Sequence, residues 1–446
     1  MRYPSIVHHG AVTGMTGSCH QLRMDDEHAL QGAETFPGSH TGTSNLAIDS
    51  LLGGIRARIS HVGRISCLPA AGFNRPNLCS ELSAKFLLIV LEDALKLGIR
   101  RDQKQVERYL KLIEQHIVAL PCKQWFTRVG TKQLNAHIRL QWASHILGSA
   151  YVGVDPQYSE VSDKKRVVFS GDLAMPHASI LPAPKSQYKT DILVIKSTCG
   201  DRLREDFRSR RARLDKALER ALNNRGAAMS PAFSIGRTQK QLYELKGIIH
   251  RRVRKESAAS QSSDSTPNTR KATVLDWANL LIILGFPPVS RSTVVCRGGR
   301  PFLGGRRQGG GAKGCNSRSF RNLLTFDSRD AHADCDMCSC GRIVSHLKAI
   351  FDVERHDVLF VGCQAGGSSG RQIQRSVPRD GHVEFDGQRY EICVQVHTIG
   401  GYSAHADQKG SVSFVTKMTH WPSWGRVVHR EPAAKQQFFS GSAAAL

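Results

Sequence analysis

The chain has 446 residues, 40% of them hydrophobic and 22% charged, a balance that supports a sizeable core and excludes a disordered composition. Its 62 Lys and Arg against 38 Asp and Glu give a formal net charge of +24, which points to a polyanionic partner: nucleic acid or an anionic membrane surface. No run of 18 apolar residues occurs and the opening MRYPSIVHHG lacks the basic-then-apolar layout of a secretory leader, so a cytoplasmic protein without a membrane span is expected.

In chain order, the first clear elements are helices over residues 80–99 (SELSAKFLLIVLEDALKLGI) and 103–117, where apolar residues recur at spacings of three and four. Two strand-like runs follow, RVVFSGD (166–172) and DILVIKST (191–198), each ending in a polar loop of the kind that carries chemistry in sheet proteins. Helical periodicity returns over 204–223 and 236–255, as in an inserted α/β domain. Residues 257–269 are polar and Pro-containing, as in a flexible surface loop.

Residues 296–319 are rich in Gly and Arg and read either as a phosphate-tracking basic loop or as a linker. The 12 cysteines are scattered and resemble no disulfide framework. Cys335, Cys338 and Cys340 form the one dense group, which could hold zinc if His332 or another residue completed the ligand set. Strands resume at HDVLFVG (356–362) and EICVQVHTI (391–399). The last of these runs into HTIGGYSAHADQ (397–408), where His405 and Asp407 stand two apart among small residues. That arrangement suits either a polar turn or an imidazole and carboxylate aimed at a metal, a phosphate or a proton-transfer partner.

Taken together, HILGSAYV (145–152), VVFSGDL (167–173), KSTCGDR (196–202), PAFSIGRTQ (231–239), GRQIQ (370–374), GGYSAHADQ (400–408) and VVHREPAAKQQF (427–438) resemble the β-CASP branch of the metallo-β-lactamase superfamily. These are zinc-dependent RNA and DNA nucleases, and the resemblance spans almost the whole chain. It implies an α/β fold, a metallo-β-lactamase αββα sandwich with an inserted β-CASP α/β domain. The expected boundaries are 1–195 for the first part of the sandwich, 196–390 for the β-CASP domain and 391–446 for the return. The family keeps its active site in the cleft between those domains, with two zinc ions that activate a water and stabilise charge on the scissile phosphate.

Residue by residue, the resemblance makes His61, His145, Asp172 and His429 metal ligands, Asp172 being the carboxylate that bridges the ions. His405 becomes the histidine that protonates or stabilises the leaving oxygen. The implied partner is RNA or another nucleic acid, and a homodimer is expected by analogy with relatives. The chain also departs from the pattern. Of the HxHxDH signature it keeps only ARISHVGRI (57–65), with Ser60 in place of the aspartate. HALQGAE (28–34) runs past the place of an aspartate that ends an early strand. Lys196 replaces an acidic residue that pairs with the catalytic histidine, and Arg430 replaces a glycine.

His61, Asp172 and His429 could together hold one zinc with an open position, so one ion or none is expected instead of two. Three readings result: an RNA phosphodiester hydrolase with impaired activity, a non-catalytic nucleic-acid-binding or partner-binding pseudoenzyme of the same family, and a decayed relative without a retained role.

Overall fold

The computed structural model describes residues 4–9, 12, 18–24, 27–31, 51–56, 76–98, 103–129, 134–159, 165–174, 181–198, 207–224, 226–232, 237–261, 282–284, 338, 342–362, 364, 367–376, 381–402, 405–429 and 435–436. His61, Ser60, His332, Cys335, Cys340, Arg430 and the Gly/Arg-rich stretch 296–319 lie outside them. The chain divides into two units, one of residues 1–92, 102–203 and 404–446, the other of 93–101 and 204–403.

The first unit contains two six-stranded sheets. One holds β1 (Ser5–His8), β2 (His20–Met24), β3 (Glu27–Gln31), β4 (Leu51–Arg56), β5 (Asn77–Ser80) and β6 (Ile117–Leu120) in that order. The other holds β7 (Trp125–Val129), β8 (Leu134–Trp142), β9 (Ala150–Tyr158), β10 (Val167–Phe169), β11 (Ile192–Lys196) and β18 (Trp424–Val428), ordered β18-β11-β10-β9-β8-β7. Leu22, Met24, Leu78 and Leu120 of the first sheet share one buried cluster with Leu140, Val152, Phe169, Val194 and Val428 of the second. The sheets therefore pack face to face, each burying alternate side chains of its strands.

The outer face of the second sheet is covered as well. Tyr151, Val168, Leu193, Ile195 and Val427 pack with Phe414 of helix α7 (Gln408–Thr416) and with Met418. Strands covered on both faces carry apolar residues without alternation, which is why VVF and ILVI read as continuous runs. Helices α1 (Glu81–Gly98) and α2 (Gln103–Gln115) pack through Leu87, Leu91 and Ile113. The early strand next to the missing aspartate is intact: β3 pairs antiparallel with β2 and parallel with β4.

The second unit is a parallel four-stranded sheet, ordered β13 (Ile282–Leu284), β12 (Ala228–Ser230), β14 (Asp357–Phe360) and β17 (Gln395–Thr398). Helices α3 (Phe207–Asn223) and α4 (Arg237–Gln261) cover one face through Leu214, Leu218, Leu245 and Ile248 against Ala228, Leu359 and Val361. On the other face, helices α5 (Arg342–Ile350) and α6 (Ser369–Arg375) and the hairpin of β15 (His382–Phe385) and β16 (Gln388–Glu391) pack around Met229, Val358, Phe360 and Val396. A parallel sheet buried on both faces is the arrangement its short apolar strands require.

The flexible loop expected from 257 is corrected at its first residues, because α4 continues through Gln261; the rest of that stretch lies outside the described residues. Glu256, Ala258, Ala259 and Gln261 favour helix, and their propensity carries the element past Lys255. Cys338 lies fully buried in the apolar cluster with Ile343, Leu347 and Phe351, placed as a small hydrophobe.

Candidate active site

Strands β10, β11 and β18 run parallel, so their carboxyl ends emerge together. Because β9 is antiparallel to both β8 and β10, the end of β8 and the start of β9 reach that same edge. Residues that follow these strand ends therefore gather along one edge: His145 after β8, Asp172 after β10, Lys196 at the end of β11 with Thr198 beyond it, and His429 directly after β18. Carboxyl ends of parallel strands are where such sheets commonly bind ligands.

The His145 loop is closed by its own hydrogen bonds. The Ser149 hydroxyl oxygen accepts from the N–H groups of His145 (2.9 Å) and Ile146 (3.2 Å), while the Ser149 N–H donates to the Ile146 carbonyl at 3.0 Å. Gly148 takes φ +84°, and a Cβ there would stand 3.0 Å from both Leu82 Cβ and the Ser83 nitrogen. Its carbonyl accepts from the hydroxyls of Ser80 at 2.6 Å and Ser83 at 3.0 Å. The loop is thus pinned to the start of α1, and His145 is held buried.

Asp172 is fixed by the turn before it. Ser170 donates its N–H to the Val194 carbonyl (2.9 Å), and its hydroxyl oxygen accepts the Lys196 N–H at 3.1 Å. Gly171 at φ +53° then turns the chain so that the Asp172 side chain, 1% exposed, faces inward. The Thr198 hydroxyl donates to Oδ1 at 3.3 Å. His405 arrives from the far end of the sequence, where the Ala406 N–H donates to the Leu173 carbonyl at 2.7 Å and His405 forms a bridge with Ala174. Its Nε2 stands 3.7 Å from Asp172 Oδ1, and its ring centroid 4.3 Å from that of His145. Two residues on, the Asp407 carboxylate caps α7 by accepting the Gly410 N–H at 2.8 Å.

Of the residues singled out in the sequence, His145, Asp172 and His405 are brought into one cluster. His429 stands at the same edge beside Ser197, whose N–H donates to the Val428 carbonyl at 3.1 Å, and its backbone takes φ +67°. A non-glycine residue in that left-handed region is uncommon and concentrates at functional positions. Thr198 was not anticipated as a partner of Asp172, although it follows Lys196 directly in the KSTCGDR motif.

The cluster does not fit a metal pair bridged by Asp172. Oδ2 of that carboxylate faces the Lys196 ammonium at 3.7 Å, and Oδ1 faces the Thr198 hydroxyl and His405. A fixed positive charge at that distance opposes a dication on the same carboxylate. Among the described residues, no group of three or more His, Cys, Asp or Glu side chains is arranged to hold a metal ion.

No protein-family model matches the chain. It is 28% identical to "Ribonuclease TTHA0252" of Thermus thermophilus over 420 residues, 90% of this chain and 88% of that protein. It is also 24% identical to "Transcription termination factor FttA" of Methanococcus maripaludis, over 90% of this chain and 62% of that protein. The same factor of Methanocaldococcus jannaschii is 23% identical over 84% of this chain and 57% of its own length. The chain thus spans most of the bacterial ribonuclease and a little over half of the archaeal factors.

Proposed function

We propose, from the kinship of this chain with the β-CASP RNA-processing nucleases of metallo-β-lactamase fold, that it acts on RNA as a phosphodiester hydrolase whose cleavage is weakened by its own substitutions. The observation that carries the reading is the meeting of His405, Asp172 and His145 at the carboxyl edge of the second sheet. The His405 side chain is 16% exposed and stands beside a carboxylate. An imidazole so placed can keep its proton in position for a leaving oxygen, a contribution of about 10²–10⁴-fold in rate where it operates. The excess of Lys and Arg that gives +24 supports contact with the phosphodiester backbone.

In the family, zinc supplies an activated water and Lewis acidity. The finer expectation of one zinc on His61, Asp172 and His429 does not enter this reading, since Lys196 stands against Asp172. RNA is the substrate in this proposal, the cytoplasm its place of action and a homodimer its assembly. Among the described residues no helix is long and apolar enough to cross a membrane.

The test follows a 5′-labelled single-stranded RNA through cleavage and binding, with wild type and His405→Ala side by side. The expected result is slow cleavage by the wild type and a loss of about 10²-fold or more in the variant, with affinity for RNA little changed. Equal cleavage by both proteins would sink the role of His405. The Lys196 contact favours a second reading, an RNA-binding pseudoenzyme, and RNA bound by the wild type without cleavage above background would select it.

A further inference from the structure

Asp172 is a carboxylate with a side chain 1% exposed, and a buried carboxylate must be neutralised by a proton, a metal or a fixed cation. Here a cation is built in. The Lys196 ammonium lies 3.7 Å from Oδ2 on a side chain that is itself only 5% exposed. Its location is set by the backbone. Lys196 ends β11, whose partners are β10 and β18, and its N–H is tied to the Ser170 hydroxyl at 3.1 Å. The serine that shapes the turn before Asp172 therefore also anchors the residue that carries the opposing charge.

The carboxylate's second oxygen is engaged as well, by the Thr198 hydroxyl at 3.3 Å and by His405 at 3.7 Å. A metal ion approaching Asp172 would have to displace the Thr198 hydroxyl, crowd the His405 ring and meet a positive charge held in a buried position.

We infer that Lys196 is the resident counter-ion of Asp172, occupying electrostatically the role of a divalent cation, so that this site folds without metal and binds zinc weakly. The inference deepens the reading of the same site given above and rests on its assignment of Asp172 to the centre of that site. A single substitution that removes the ammonium and supplies a carboxylate is then sufficient to raise zinc affinity. This makes Lys196 the residue that determines metal specificity in this chain.

The experiment uses the full chain purified without a metal-affinity tag, equilibrated with zinc and then freed of unbound ion. Zinc per chain is measured by elemental analysis, and the thermal midpoint with and without EDTA. Wild type should carry well under one zinc per chain and melt at the same temperature in EDTA. Lys196→Glu should gain zinc, bind it at least about tenfold more tightly, and melt lower once EDTA removes it. Stoichiometric zinc in the wild type together with a midpoint lowered by EDTA overturns the inference, as does a folded Lys196→Glu chain that binds zinc no better than wild type.

If Lys196→Glu fails to fold, Lys196→Met and the double variant Lys196→Met/Asp172→Asn decide the matter. Removing the ammonium alone should lower the midpoint, and neutralising Asp172 in the same chain should recover most of that loss. A double variant no more stable than Lys196→Met denies the pairing. None of these readouts involves RNA, so failure here leaves the proposed substrate standing, and failure to bind or cleave RNA leaves the counter-ion intact.

Discussion

His20 shows how one buried side chain ties stability to acidity. It is 3% exposed on β2, with Nδ1 at 2.8 Å from Nδ1 of His8, Nε2 at 3.3 Å from the Ser18 hydroxyl, and its ring stacked 6.4 Å from Phe169. Burial first, then the positive charge of His8, Lys196 and His9, pushes its pKa down to about 3. His8 is pushed down too, by burial and then by Arg426 and Lys435. The pair is stable when neutral, one ring donating and the other accepting. Below the ordinary histidine range the unfolded chain binds protons that the folded chain refuses. The stabilisation is therefore complete above about pH 6.5 and is lost as pH falls toward about 3, with a slope of up to about 1.4 kcal/mol per pH unit for His20 alone. Replacing His20 by Phe should flatten the acid side of a stability profile measured by urea unfolding between about pH 6 and 4. An unchanged slope would remove His20 as the cause. The pairing of His8 with His20 could not be read from the sequence, because it depends on the antiparallel register that sets the two residues opposite each other. His145, Asp172 and His405 were legible there through the order of their motifs, whereas the contact from Thr198 needed the turn geometry around Ser170.

Among the elements, those covered on both faces were the easiest to read. The apolar runs of β10, β11 and β14 stand out in the sequence because burial dictates nearly every residue, and α1 to α4 stand out by the three- and four-residue spacing of their apolar positions. The β8–β9 hairpin was harder. LNAHIRLQW alternates buried with partly exposed positions, and its inward Leu134, Ala136, Ile138 and Leu140 are diluted by His137, Arg139 and Gln141. Turn positions carry a constraint of another kind. Gly226 ends the α3 region by donating its N–H to the Ala221 carbonyl at 2.8 Å, where the chain enters β12. A Cβ there would meet the Arg355 carbonyl oxygen at 1.7 Å and its carbon at 2.6 Å, both backbone atoms. Gly226→Ala should therefore cost about 2–3 kcal/mol by forcing the start of β12 away from the segment leading into β14. Gly387 supplies the contrast: its φ is +74° but nothing lies within 4 Å of its added Cβ. Gly387→Ala should cost only the left-handed backbone penalty, about 1 kcal/mol. Equal losses in urea midpoint for the two variants would show that the approach of Arg355 does not matter.

At the scale of the whole molecule, charge gives a prediction that no single residue carries. The quoted motifs are spread along a chain with 62 basic and 38 acidic residues, and that charge excess points to a polyanion such as a nucleic-acid backbone. The fold class was legible because most of the quoted motifs fall at strand ends, where a sheet brings distant segments together, while GRQIQ lies within α6. The counter-ion at Asp172 was not, because a lysine in the sequence does not reveal which carboxylate it faces. If RNA is held by its phosphates, binding must release condensed counter-ions, and affinity must fall with salt whatever the sequence of the RNA. For contacts to four phosphates of a single strand, the slope of log K against log salt is about −2.8, a loss on the order of fifty-fold between about 50 and 200 mM salt. Fluorescence anisotropy on two unrelated single-stranded RNAs of equal length should give this same slope for both. It should also persist in Lys196→Glu if that chain folds, because the ammonium is buried against Asp172 and is not presented to solvent. A flat salt response would mean that the excess positive charge does not contact the RNA backbone. A slope that collapses in Lys196→Glu would mean that this lysine reaches a phosphate after all, and the two outcomes separate surface attraction from the internal ion pair.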